Sequence, residues 1–247
     1  MSVVLWHIEI SHYNEKVRFA LAYKDIAHER RVPIPGLHGF SAMRVTRSSH
    51  RRLPVLKLDG RRIGDTTAII AALEEYKPDP PLYPADPLQR ARALELEDFF
   101  DEHLGHHVRA FVFASLFASG ADVGPILAPG GPRVVQRLLT ASTPLAKPIV
   151  RADYGARDER VAEHVTAIRA AMDRLESELP PSGYLAGDAF SVADLTAASL
   201  FTPLLDPPGR EHMPPVSEPV LELREELRQR PGAAWVDEIF AKHRAAR

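Results

Sequence analysis

Four short stretches of the chain carry residues whose types and spacing can do chemistry. Ser11 stands where an apolar strand pattern gives way to helical spacing. Its hydroxyl is placed at a helix N-terminus, where it can cap backbone N–H groups or stabilise an anion. Leu53-Pro54-Val55-Leu56 opens an apolar run with a proline, a residue that cannot donate to a strand ladder and is tolerated at strand entries, edges and bulges. Asp65-Thr66 begins a second helical pattern, again a place where a carboxylate or hydroxyl caps the helix or a negative ligand group is welcome. His103 and His107 are four apart on a long helical stretch, a metal-ligand spacing, but no third ligand or zincin-type glutamate accompanies them, so no metal site is read there. The chain contains no cysteine. Disulfides, thiolate zinc sites and a cysteine nucleophile are excluded, and any sulfur chemistry has to arrive on a ligand.

The elements that must position these residues follow from pattern. Val3 to Ile10 is rich in β-branched and aromatic residues and predicts a buried strand. Val17, Ala20 and Leu21 predict a helix opened by Ser11. Glu29 to Pro33 reads as a second strand closed by Pro33-Ile34-Pro35-Gly36, and residues 37–50 as a short helix and loop. Leu53 to Leu58 and Arg61 to Ile63 form a hairpin around Asp59-Gly60. Thr67 to Tyr76, with Ile69, Ile70 and Leu73 on one face, is a helix, so the order is βαβαββα. Lys77-Pro78-Asp79-Pro80-Pro81-Leu82-Tyr83-Pro84 is a proline-dense linker. Beyond it strand signals vanish. A helix starts with Pro87 in its first turn and runs to about Ala118. Residues 120–148 are rich in Gly and Pro, with a short helical patch at Val134 to Leu139. Arg157 to Leu179 is an amphipathic helix. Ser191 and Asp194 form a capping box, with Phe190 and Leu195 as its hydrophobic staple, ahead of another helix. A proline-rich loop over 203–219 precedes two closing helices.

The chain has 247 residues, 45% hydrophobic and 26% charged with a net charge of -2, the balance of a globular protein without a nucleic-acid surface. No apolar run approaches the ~20 residues of a membrane span. The strand pattern begins directly after Met1-Ser2 with no basic stretch before it, which reads as a cytoplasmic protein without a signal peptide.

A βαβαββα domain followed by an all-helical domain resembles the cytosolic glutathione transferase superfamily. Ser11-His12-Tyr13-Asn14-Glu15-Lys16-Val17-Arg18 is similar to its first-helix motif and Leu53-Pro54-Val55-Leu56 to its cis-proline segment. Asp65-Thr66 stands where the family has an acidic residue or Gln followed by Ser, and Gly187 to Asp194 is similar to its late capping box. The resemblance implies a thioredoxin-like domain over 1–78, a linker over 79–86, and a helical-bundle domain over 87–247 that forms the electrophile side of a cleft. It implies a serine-type, bacterial-like member in which the Ser11 hydroxyl stabilises the glutathione thiolate. His7 and Tyr13 are its rivals for that role. Leu53, ahead of a cis Pro54, would pair with the cysteinyl unit of glutathione through its backbone. Asp65 and Thr66 would receive the γ-glutamyl end, and Arg47, His38, His50 or Arg51 the glycine carboxylate.

The function so implied is attack of glutathione thiolate on a small electrophile by a homodimeric enzyme, with glutathione as co-substrate and no metal. The alternatives are a glutathione-dependent isomerase or dehalogenase, and a non-catalytic ligand-binding or protein-interaction member. The shorter Asp65 and the long 120–155 segment motivate the last.

Overall fold

A computed structural model describes residues 2–33, 38–47, 49–128, 131–210 and 217–244, His38 by its backbone alone. The elements β1 (Val3–Trp6), α1 (His12–Tyr23), β2 (Glu29–Arg31), α2 (His38–Thr46), β3 (Val55–Leu58), β4 (Arg61–Ile63) and α3 (Thr66–Tyr76) follow in the expected order. They build a sheet of order β2-β1-β3-β4, with β1 parallel to β2 and antiparallel to β3, and β3 antiparallel to β4. Side-chain alternation divides the faces. Val3, Leu5, Leu56 and Leu58 join the main core with α1 and α3, while Trp6 and Val55 pack with Ala42 and Val45 of α2. Asp59 and Gly60 both take positive φ, 46° and 87°, which the two-residue turn between β3 and β4 requires. Two strands are shorter than their sequence patterns. β2 stops at Arg31, short of Pro33, and β3 starts at Val55, after Pro54, because neither proline has an N–H for the ladder.

The helical half begins at α4 (Pro87–Phe100), capped by Asp86, which accepts the N–H groups of Leu88 and Gln89. A five-residue π-helical turn, Asp101–Gly105, carries the helix on into α5 (His106–Ala118). The 120–155 segment corrects the sequence reading. It holds a short α6 (Val123–Leu127) and a 22-residue helix, α7 (Arg133–Tyr154), with Pro144 and Pro148 inside it. The two prolines are four residues apart on one exposed stripe of the helix. Next come α8 (Val161–Glu178), α9 (Val192–Leu205), α10 (Glu218–Arg228), α11 (Pro231–Ile239) and a terminal π-helical turn, Phe240–Arg244. Every residue of α9 is buried. Both bonds of its capping box are made: Ser191 caps the helix and Asp194 accepts the Ser191 N–H. Burial pushes Asp194 up to about 6, against the hydrogen bonds it accepts from Leu185 and Ser191.

The two halves share one core, with Val17, Leu21, Ile69 and Leu73 packing in the same cluster as Phe100, Leu104, Leu195 and Phe240. α1 lies at its centre and buries charged side chains as well as apolar ones. Lys16 is fully buried, its Nζ 2.9 Å from Glu97 and 2.6 Å from Asp101. Burial alone would lower its pKa, but the two carboxylates raise it above the usual lysine range. Glu15 receives Arg18 at 2.6 Å and Arg244 at 2.7 Å, one guanidinium on each oxygen. Burial would raise this carboxyl, but the two cations hold it below the usual range. Lys24 reaches Glu74 at 2.6 Å and the carbonyls of Lys77 and Pro80, tying the proline-dense segment to the end of α1.

Because Lys16 joins the halves, Lys16→Met will leave Glu97 and Asp101 facing each other without a cation. Removing one partner of a buried pair costs about 3–5 kcal/mol. Urea unfolding is expected to show a loss of that size; a loss below about 1 kcal/mol would mean that water already screens the carboxylates.

Candidate functional site

The N-terminus of α1 and the entry of β3 meet around a small polar network, and the N-terminus of α3 carries a second group of candidate residues. Ser11 is the N-cap of α1, with extended backbone and a half-buried side chain. Its Oγ accepts two N–H groups, both from Asn14: the side-chain Nδ2 at 2.7 Å and the backbone N at 3.4 Å. Asn14 is fully buried. Its Nδ2 also donates to the Leu53 carbonyl at 3.3 Å, and its Oδ1 accepts the Ile8 N–H at 3.0 Å. The Leu53–Pro54 peptide bond is cis. Ser11 and Leu53 are thus brought together by one amide. The Leu53 N–H takes no partner among the described residues.

Asp65 is the N-cap of α3, its Oδ1 accepting the Ala68 N–H at 3.0 Å. One carboxylate oxygen is engaged as a cap and the exposed side chain keeps the other for solvent or a ligand. Thr66, the first residue of α3, is half-buried. His50 joins this end of the site. Its ring lies against Gly64, where an added Cβ would sit 2.5 Å from the ring Cγ, so only glycine lets the histidine approach Asp65-Thr66. The Thr67 hydroxyl lies 3.1 Å from Glu97 and 3.3 Å from Asp101, the same carboxylates that hold Lys16.

The other sequence-predicted residues have different surroundings. Arg47 is exposed at the end of α2 with φ 56°, and no described hydrogen bond joins it to Ser11, Leu53 or Thr66. The His38 side chain lies outside the described residues. His7 is buried, its Nδ1 accepting from Arg18 at 3.0 Å, and belongs to the support of the β1–α1 loop. The Tyr13 hydroxyl donates to the Asp101 carbonyl at 2.8 Å, burial pushes its pKa well above the usual phenol range, and its ring packs on Gly105. It faces the helical half, not the Ser11 network. His103 packs on Phe99 while His107 pairs with His164 at 3.0 Å, so the i,i+4 histidines do not converge. Among the described residues no three metal-ligating side chains come together. A concavity of about 720 Å³, lined by Trp6, Arg31, Arg44, Lys57 and Arg62, lies on the α2 face of the sheet and includes none of these site residues.

Two residues near Ser11 carried no local signal in the sequence. His12 is buried and donates its Nε2–H to the Gly105 carbonyl at 2.9 Å; burial pulls its pKa down to about 3, so the imidazole is neutral. Arg210 reaches across from the segment after α9 to the Ile10 carbonyl at 3.1 Å. Burial lowers it to about 10, which still leaves a full positive charge next to the residue before Ser11.

Comparison with known proteins adds a second line. The N-terminal domain family of glutathione S-transferases matches residues 5–81 and the C-terminal domain family matches residues 158–238. A stretch of 87 residues is 41% identical to maleylacetoacetate isomerase from Rattus norvegicus, 34% of this chain and 40% of that protein. The match therefore spans well under half of the curated relative. A beta-etherase from Sphingobium superposes over 96% of this chain and 99% of its own, with TM-score 0.63 and 21% identity. A glutathione S-transferase from Methylobacterium radiotolerans, in complex with glutathione sulfonate, superposes over 95% and 93% with TM-score 0.57 and 22% identity. At these identities the structures speak for the fold.

The His12 geometry gives a stability signature. The unfolded chain takes up this proton near pH 6.5 and the folded chain only near 3, so stability falls as pH drops through that window. His12→Gln keeps a donor for Gly105 and removes the titration. It is expected to reduce the difference in unfolding free energy between pH 7 and pH 5 by about 2 kcal/mol, 1.5 pH units at about 1.4 kcal/mol each. Denaturant unfolding at the two pH values checks this; an unchanged difference would mean that His12 is protonated in the folded protein.

Proposed function

The chain belongs to the glutathione S-transferase family, and from that premise we propose that it is an enzyme in which glutathione thiolate, held by Ser11, attacks a small electrophile. The observation that carries the reading is the state of the Ser11 hydroxyl. Both N–H groups it receives use oxygen lone pairs, so its own proton is uncommitted and available to a sulfur anion at the N-terminus of α1. Capping and thiolate stabilisation, which on the sequence alone draw on one hydroxyl, use different parts of it. A free thiol titrates near ~8.5, so a charge-assisted hydrogen bond and a helix N-terminus are what shift it toward the thiolate at neutral pH. Arg210, bound to the Ile10 carbonyl, adds positive potential from the helical half.

In the same proposal Leu53 offers its N–H, which has no partner among the described residues, to the cysteinyl backbone, and Asp65 and Thr66 meet the γ-glutamyl end at the start of α3. His50 is placed against Gly64 beside them, whereas Arg47 has no such contact, so His50 is the better candidate for a ligand carboxylate. In transfer, a carbon–sulfur bond forms as the leaving group departs with its electron pair. The electrophile lies toward the helical half. Leu88 and Leu94 on α4, and Val134, Leu138, Leu145 and Ile149 along α7, are exposed apolar side chains that a second copy would cover in the proposed dimer. No helix among the described residues is long and apolar enough to cross a membrane, and the cytoplasm is the proposed location.

The identity to maleylacetoacetate isomerase favours isomerisation as a second reading. It would use the same thiolate, with addition followed by expulsion of glutathione. Glutathione recovered unchanged beside an isomerised product would select that reading; stoichiometric loss of glutathione selects transfer.

Ser11→Ala is expected to abolish the thiolate absorbance of bound glutathione at neutral pH and to lower kcat/KM about a hundredfold with any accepted electrophile. Calorimetry with glutathione supplies the companion measurement. A wild-type protein that binds no glutathione overturns the enzyme reading, binding without turnover across an electrophile panel points to a non-catalytic member, and an unchanged Ser11→Ala removes Ser11 from the role.

A further inference from the structure

We propose that Asn14 is a positioning residue that fixes the direction in which Ser11 donates its proton. The inference deepens the proposed function and rests on the reading of Ser11 as the group that holds the thiolate.

The argument starts from which end of the Asn14 amide faces which neighbour. Oδ1 lies 3.0 Å from the Ile8 backbone N, a group that can only donate. Nδ2 lies 3.3 Å from the Leu53 carbonyl, a group that can only accept. Two backbone partners of opposite kind therefore fix the amide orientation, and reversing it would set donor against donor at Ile8 and acceptor against acceptor at Leu53. With the amide fixed, the atom 2.7 Å from Ser11 Oγ is a donor. Ser11 must accept there, and it accepts the Asn14 backbone N–H as well. A serine oxygen has two lone pairs and one proton, so both lone pairs are engaged and the proton has to point away from the network. The hydroxyl is left with one unspent capacity, to donate.

Burial sharpens the constraint. Asn14 is fully buried, so water does not compete for its amide, and a buried amide with a missing partner is costly. The same side chain ties the activating hydroxyl to the residue before Pro54, which places the thiol's donor and the backbone proposed to bind the cysteinyl unit on one rigid support. The nearby charges act on the site separately. Arg18 holds the Ile8 and Glu9 carbonyls and pairs with Glu15, Arg210 holds the Ile10 carbonyl, and His12 is neutral.

The test follows the pH titration of the thiolate absorbance of glutathione bound to the full chain, in wild type, Ser11→Ala, Asn14→Ala, Asn14→Asp and Ser11→Ala/Asn14→Ala. Asn14→Asp is nearly isosteric and keeps an acceptor for the Ile8 N–H, but it replaces the donor to Ser11 with an acceptor that draws the serine proton inward. It is expected to raise the bound thiol's pKa by about one unit or more, roughly a tenfold loss of thiolate below that pKa, approaching the Ser11→Ala value. Asn14→Ala is expected to shift it in the same direction by less, with KM for glutathione changed less than kcat. In the Ser11→Ala background the Asn14 substitution is expected to add nothing, since an effect exerted through Ser11 vanishes with it. Thermal unfolding identifies any variant that has not folded, and Asn14→Asp decides the matter if Asn14→Ala has not. A titration unmoved by either Asn14 variant while Ser11→Ala shifts it overturns the proposal. So does an Asn14 effect of full size without Ser11. A wild-type protein whose bound thiol titrates like free glutathione removes the Ser11 reading itself, an outcome visible before any Asn14 variant is compared.

Discussion

The rest of the structure depends on how α1 can be buried on every side and still carry Glu15, Lys16, Arg18 and Lys24. An unpaired charge in such a place costs several kcal/mol, so each has to find its counter-charge within reach of one short helix. The partners come from several places: Glu97 and Asp101 from α4 and the turn after it, Arg244 from the end of the chain, Glu74 from α3. α1 is therefore held in place only when the helical half is docked. Its N-terminus, where Ser11 sits, inherits that rigidity. The pairs need not add net stability over an apolar core of the same shape. What they add here is a fixed register between the two halves.

That register has a consequence for the site. The carboxylates that neutralise Lys16 also lie within hydrogen-bond reach of Thr67, one residue past the proposed γ-glutamyl contact at Thr66. The π-helical turn at Asp101–Gly105 offers two backbone carbonyls, Asp101 to Tyr13 and Gly105 to His12, both on α1. Each carbonyl has two lone pairs, so it can take a side chain from the other half in addition to any bond within its own helix. Gly105 permits this closeness, because any Cβ there would overlap the Tyr13 ring. The N-terminal ends of α1 and α3 are thus set against one continuous piece of the helical half.

Sequence reasoning succeeded where the signal was local. The Asp59-Gly60 turn, the α3 pattern and the Ser191–Asp194 box each reflect a preference that a few neighbouring residues settle among themselves. It fell short over 120–155, where Pro144, Pro148 and the nearby glycines left only a short helical patch at Val134 to Leu139. There one 22-residue helix runs through both prolines without burying a residue, and no packing among the described residues accounts for it. His12 was invisible for a different reason. A histidine in a first helical turn has no pattern that separates a surface residue from one buried against a carbonyl 93 positions away.

By itself the sequence determined the order of elements, the cysteine-free chemistry and the residue types at the two helix N-termini, because strand alternation, helix spacing, caps and turns are short-range effects. Only the tertiary structure decided which groups meet. It set His50 against Gly64, turned Tyr13 toward the helical half, and gave the Leu53 carbonyl and the Ser11 hydroxyl to one amide. The physical reason is that a hydrogen bond's direction depends on every partner at once. Asn14 is an ordinary polar residue until Ile8, from the end of the first strand segment, and Leu53, from the mouth of the third, close on it from opposite sides.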